Sequence, residues 1–93
     1  MSTLYRRIES FDHEEFEDEL VLMEAESQAV VTLNATGRTV WEALDSGATV
    51  EEIGGLFQRA FPDNDPAVIR RDVQGVLDTL VEAGLVTADV AES

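Results

Sequence analysis

Nucleophiles, proton carriers and metal ligands are scarce in this sequence. It has no cysteine, no lysine and a single histidine, His13. Without cysteine there is no thiolate nucleophile, no thiolate metal site and no disulfide framework. Without lysine there is neither a Schiff-base catalyst nor a phosphate-loop lysine. Carboxylates are plentiful, and the run Asp12-His13-Glu14-Glu15-Phe16-Glu17-Asp18-Glu19 places six of them in eight positions. The spacing is not that of a calcium-binding loop, and no glycine supports the turn such a loop needs. The run reads as a solvated strand end and turn. His13 has no serine, cysteine or second histidine beside it and reads as a surface residue. General acid–base catalysis by two carboxylates needs two in contrasting environments, and nothing singles out a pair among the twenty acids. No nucleophile elbow, glycine-rich phosphate loop or metal-spaced histidine pair occurs. The expectation is a binding module with no catalytic residue, metal or cofactor.

Charge narrows the partner. The six basic residues, all arginine, leave a net charge of −14. Nucleic-acid affinity comes largely from neutralising backbone phosphates, so this balance argues against a nucleic-acid partner and for a cationic one. No apolar run approaches the roughly 18 residues of a membrane span, and Met1-Ser2-Thr3-Leu4-Tyr5-Arg6-Arg7 lacks a signal-peptide core. A cytoplasmic location with no membrane contact is therefore expected. A chain of 93 residues with 44% apolar content reads as one domain, residues 1–93, ordered over about 5–87.

The elements follow from periodicity and punctuation. Residues 1–7 read as a patternless, mobile lead-in. A weak segment near Ile8 to Phe16, then Leu20-Val21-Leu22-Met23, then Ala29-Val30-Val31-Thr32-Leu33 predict a three-stranded antiparallel meander. Asn34 caps a helix that runs to about Leu44, with Val40, Trp41 and Leu44 on one face and Trp41 anchoring helix to sheet. Thr49-Val50-Glu51-Glu52 is a capping box that opens a second helix bearing Val50, Ile53, Leu56, Phe57 and Ala60 at helical spacing. Gly54-Gly55 inside it costs roughly 1 kcal/mol per glycine relative to alanine, which implies close packing against a neighbour. Asp65 and Pro66 start a third helix of about Pro66 to Ala83. Its apolar stripe is Ile69, Val73, Val76, Leu77 and Leu80, flanked by Val68 and Val81. Gly84 stops it, with Leu85 folding back on Leu80 in a Schellman cap. Ala88 to Ser93 reads as a frayed acidic tail. The fold class is α+β, winged-helix-like.

A meander has two edges, and edges are protected or used. The first strand is loaded with acids, whereas Ala29, Val30, Val31, Thr32 and Leu33 carry no charge, proline or glycine. Five such residues present about 17 Å of backbone ladder, enough for a peptide to add as a further strand. A covering helix or loop, or pairing with a second copy, accounts for the same pattern. On the third helix Asp72, Gly75, Val76 and Thr79 form an adjoining face with one small or polar residue per turn, Gly75 leaving room for an approaching group. That face is expected to line a groove. If the edge is the site, proline at Val31 should weaken binding.

The segment from Val31-Thr32-Leu33-Asn34 through Gly37-Arg38-Thr39-Val40-Trp41 to Asp45 resembles the signature of PqqD-like proteins. There, a strand ending in Leu-Asn leads into a helix carrying Ile/Val-Trp. Thr49-Val50-Glu51-Glu52-Ile53 and the closing Val76-Leu77-Asp78-Thr79-Leu80-Val81-Glu82-Ala83-Gly84-Leu85-Val86 fit at the right separations, so the resemblance covers about residues 5 to 87. It implies a RiPP recognition element, which binds the leader of a ribosomally made precursor peptide as a strand added to the third strand, against the third helix. An acidic, lysine-free chain looks most like the stand-alone leader-binding subunit of a split lasso-peptide protease. Its implied partners are a basic leader peptide and a leader protease or other modifying enzyme. The alternatives are a chaperone for the precursor of pyrroloquinoline quinone and a winged-helix regulatory domain. The latter should carry a basic recognition helix, and Arg70 and Arg71 stand here against Asp72, Asp78 and Glu82.

Overall fold

The structure, a computed structural model, describes residues 3–90. In chain order the elements are β1 (Thr3–Arg7), β2 (Phe11–Phe16), β3 (Glu19–Glu24), β4 (Val30–Leu33), α1 (Ala35–Ala43), α2 (Val50–Ala60), α3 (Pro66–Glu82) and β5 (Val86–Val90). The meander is present as an antiparallel sheet of order β2-β3-β4, followed by three helices, as the α+β reading expects. Its first strand starts at Phe11 rather than near Ile8.

Two terminal segments differ from the sequence reading. Thr3–Arg7 is not a loose lead-in but pairs antiparallel with Val86–Val90, Tyr5 lying opposite Ala88. The described part of the expected tail, Ala88 to Val90, is therefore strand; Ala91 to Ser93 lie outside the described residues. Tyr5 supplies the physical reason. Its backbone exchanges hydrogen bonds with Ala48 (2.8 and 3.0 Å) and its ring is buried. Its hydroxyl accepts from the Gln74 side chain at 3.1 Å. One buried aromatic thus ties the N-terminus to the α1–α2 loop and to α3, through partners too distant in sequence to leave a local pattern.

The helix signals translate directly into geometry. Asn34 Oδ1 accepts from the Gly37 N–H at 2.9 Å. Both halves of the Thr49–Glu52 capping box form, and Asp65 caps α3 with Pro66 in its first turn. At the far end of α3 the Gly84 N–H reaches Val81 O and the Leu85 N–H reaches Leu80 O, both at 3.0 Å, with Gly84 at φ +78°. That is the Schellman pairing, and Leu80 and Leu85 are both fully buried.

The core is continuous between sheet and helices. Leu20, Leu22 and Leu33 from the sheet meet Val40, Trp41 and Leu44, Val50, Ile53 and Phe57, and Ile69, Val73, Leu77 and Leu80. Trp41 is 3% exposed and meets Phe11 edge to face at 5.1 Å, with the Arg7 guanidinium 5.0 Å from its ring centre. Leu56, Val68 and Val81, counted among the apolar stripes, are exposed instead.

Two sets of glycines carry opposite steric consequences. A Cβ on Gly37 would lie 3.0 Å from Leu33 Cδ2 and 3.1 Å from Leu33 Cβ, so α1 approaches β4 more closely here than a side chain would ordinarily allow. Gly54 and Gly55 have open space where a Cβ would stand, which overturns the close packing expected of them. Alanine at Gly54 or Gly55 should accordingly stabilise the chain by about 0.5–1 kcal/mol each through helix propensity, whereas Gly37→Ala should destabilise it. Urea unfolding of the three single variants reads the difference in sign.

Candidate functional site

Register decides which backbone groups of β4 are available. The β3–β4 pairs are Leu20 with Leu33, Val21 with Thr32, Leu22 with Val31 and Met23 with Val30. Just before the strand, the Glu24 N–H donates to Ala29 O at 2.9 Å. Hydrogen-bonded and non-bonded pairs alternate in an antiparallel ladder. Ala29, Val31 and Leu33 therefore aim their polar backbone groups at β3, and Val30 and Thr32 aim theirs away from it. No strand lies beyond β4 among the described residues, so this is an open edge.

The turn that sets this register is held by one carboxylate. Glu24 accepts from the Ser27 N–H and the Ser27 hydroxyl. The Ser27 amide foremost, then the Ser27 hydroxyl and the Glu26 amide, hold its pKa below the ordinary value. Gln28 closes the turn at φ +60°, in the left-handed region.

Across the open edge stands α3. Val31, Thr32 and Leu33 of β4 line a cleft of about 310 Å³ together with Val76 and Thr79 of α3 and with Glu19, Asn34 and Gly37. Val31, Leu33 and Val76 make its apolar surface, and Thr32, Asn34 and Thr79 its polar one. Glu19 is the one formally charged residue lining it. Two other acids, Glu15 of β2 and Glu42 of α1, pair with Arg38 of α1.

Five residues of the expected site, Val31, Thr32, Leu33, Val76 and Thr79, are thus brought together. The other four are placed differently. Ala29 precedes β4 and serves the turn, and Val30 lies on the strand but outside the cleft, 57% exposed. Asp72 lines a separate cavity of about 180 Å³ with Thr36, Phe57, Phe61 and Asn64. Gly75 lies on another side of α3 with Arg71, Gln74 and Asp78, and the open space beside it is outside the cleft. Helical rotation explains Gly75, which is turned about 100° from Val76; Asp72 shares the narrow arc of Val76 and Thr79 but lies one turn nearer the start of α3, beside the other cavity. Sequence reasoning missed Glu19, Asn34 and Gly37 as cleft residues. Glu19 is hidden within the acid run, and only the register shows that it stands level with Asn34.

Comparison with known proteins gives the family and the fold. The family model for PqqD, Coenzyme PQQ synthesis protein D, matches residues 19–86, from the start of β3 to the start of β5. The chain belongs to the PqqD family. The matched PqqD segment contains the entire cleft and omits β1 and β2. No curated protein matches the sequence significantly. Among solved structures, "TbiB1 in Complex with the TbiA(beta) Leader Peptide" matches with a TM-score of 0.77, covering 94% of this chain and 99% of that chain at 23% identity. At that identity the likeness to TbiB1 is one of fold.

Two stability measurements check the site's architecture. Val31→Pro removes an amide that faces β3 and should cost about 3 kcal/mol, whereas Thr32→Pro removes one that faces outward and should cost distinctly less, both read by urea unfolding. Because the folded-state pKa of Glu24 is lowered, its contribution to stability is complete above the ordinary carboxylate value of 4.5 and is lost as pH falls through the lowered value. Glu24→Gln should therefore unfold at a lower temperature at pH 7 and show a shallower loss of stability on acidification.

Proposed function

We propose that this chain binds the leader segment of a ribosomally synthesised precursor peptide by adding it as a strand to β4, and delivers it to a processing enzyme. The observation that carries this reading is the open edge of β4 facing a partly apolar cleft against α3. Outward amides and carbonyls of Val30 and Thr32 fix the leader's register, and one or two apolar leader side chains enter the cleft. Each well-buried anchor contributes roughly 1.5–3 kcal/mol. The surrounding acids accelerate association with a basic leader more than they tighten the final complex, so affinity falls as salt rises. The chain cleaves and transfers nothing; it raises the effective concentration of the precursor at the enzyme. Membership of the PqqD family and the fold shared with TbiB1, whose structure holds a leader peptide, support this reading.

Within it, we assign the chain to lasso-peptide biosynthesis, as the leader-binding partner of a cytoplasmic leader protease. The lysine-free, strongly acidic composition supports that assignment. A second reading, chaperoning the precursor of pyrroloquinoline quinone for a radical enzyme, is favoured by the family's own description.

The test is titration of a fluorescein-labelled leader peptide from the cognate precursor, followed by anisotropy, with duplex DNA as control. Saturable binding of the leader below about 10 μM and none of the duplex is expected. Thr32→Pro should weaken leader binding at least tenfold while the fold is retained. Leader binding that Thr32→Pro leaves intact would move the site away from this edge. Acceleration of leader cleavage by a transglutaminase-like protease selects the lasso assignment, and stimulation of a radical S-adenosylmethionine enzyme selects the other.

A further inference from the structure

We infer that Glu19 is a specificity residue that selects a basic side chain at a fixed position of the bound peptide, out of step with the apolar anchors. The inference rests on strand addition at β4, and it deepens that reading by specifying the peptide.

Three observations converge on it. First, the cleft has a single formally charged lining residue, and it is Glu19. Second, Glu19 forms no ion pair among the described residues, whereas each of the arginines Arg6, Arg7, Arg38 and Arg70 has an acidic partner elsewhere. Among the described residues no cation lies within ion-pair distance of the Glu19 carboxylate. Third, the register places Glu19 at a definite height and on a definite face. Leu20 opposes Leu33, so Glu19 stands level with Asn34, one step beyond the end of β4. Alternation along β3 buries Leu20 and Leu22 and puts Glu19 with Val21 and Met23 on the outer face.

That alternation extends to the peptide. In an added strand, residues directly opposite Val31 and Leu33 turn their side chains to the core side, toward Val76. Residues opposite Thr32 and Asn34 turn theirs to the outer face, where Glu19 lies. Anchors and cation therefore occupy positions of opposite parity: the basic residue is separated from each apolar anchor by an odd number of positions. An arginine or lysine is long enough to reach over the end of β4, and its ammonium or guanidinium stays in water beside the carboxylate. The net charge of −14 attracts basic peptides in general, but without preference for position. Positional parity is what Glu19 adds.

The probe is a messenger-display library of random 15-residue peptides selected against the intact chain, Glu19→Gln, Glu19→Lys and Thr32→Pro. The wild type should enrich apolar anchors in a spaced pattern together with Arg or Lys at one odd offset from them. Glu19→Gln should keep the anchors and lose the positional cation, and Glu19→Lys should replace it with Asp or Glu at the same offset. For a single enriched peptide, Glu19→Gln should weaken binding about 1.5- to fivefold, the range of an exposed ion pair, and should not change binding of that peptide with its cation replaced by Gln. Anchors enriched without a positional cation, or a cation preference that survives in Glu19→Gln, would overturn the role of Glu19 and leave strand addition standing. Wild-type enrichment no different from that of Thr32→Pro would overturn strand addition and this inference with it. Glu19 is exposed at the start of its strand, so matched thermal unfolding of the variants confirms that the fold is unchanged.

Discussion

The junction at Leu33, Asn34 and Gly37 is the constraint on which the rest of the molecule hangs. The chain leaves the sheet at Leu33, Asn34 takes up a free amide of the first helical turn, and the absent Cβ of Gly37 lets that turn lie directly on Leu33. From the same helix Trp41 reaches the sheet and meets Phe11 edge to face. The same junction ends β4 at the mouth of the cleft, so one local arrangement fixes both the core packing and the position of the open edge.

An edge strand left open is a hazard, since it templates pairing with any extended chain. Here the hazard is limited in three physical ways. The strand is four residues long, it faces a cleft backed by α3, and the surrounding surface is densely acidic. Mutual repulsion of highly negative copies disfavours pairing of two such edges, while a cationic extended peptide meets no such barrier. The features that protect the edge therefore also sort its partners.

The second sheet gives the N-terminus a structural purpose. β1 and β5 lie outside the β2-β3-β4 sheet, and through Tyr5 they secure the α1–α2 loop and the middle of α3. They leave β4 untouched. An arrangement in which β1 had instead extended the meander beyond β4 would have filled the edge and closed the cleft.

What the sequence determined by itself was local. Caps at Asn34, Thr49 and Asp65, the Gly84 stop and the β-rich run Leu20 to Met23 each rest on residues close together in the chain, and each is found in the structure. The lack of charge at residues 29–33 likewise points to the edge from sequence alone. Tertiary structure decided the rest. The pairing of β1 with β5 joins segments some eighty positions apart, beyond any local period. Which amides of β4 face outward depends on the register set by the Glu24 turn, and a shift of one residue would have exchanged Val31 for Thr32. The rotation of α3 about its axis turned Val76 and Thr79 into the cleft and Gly75 out of it. Glu19 became a cleft residue only when the hairpin folded it level with Asn34. Sequence specifies propensity and period; the phase at which elements meet is set by packing, and the site is a property of that phase.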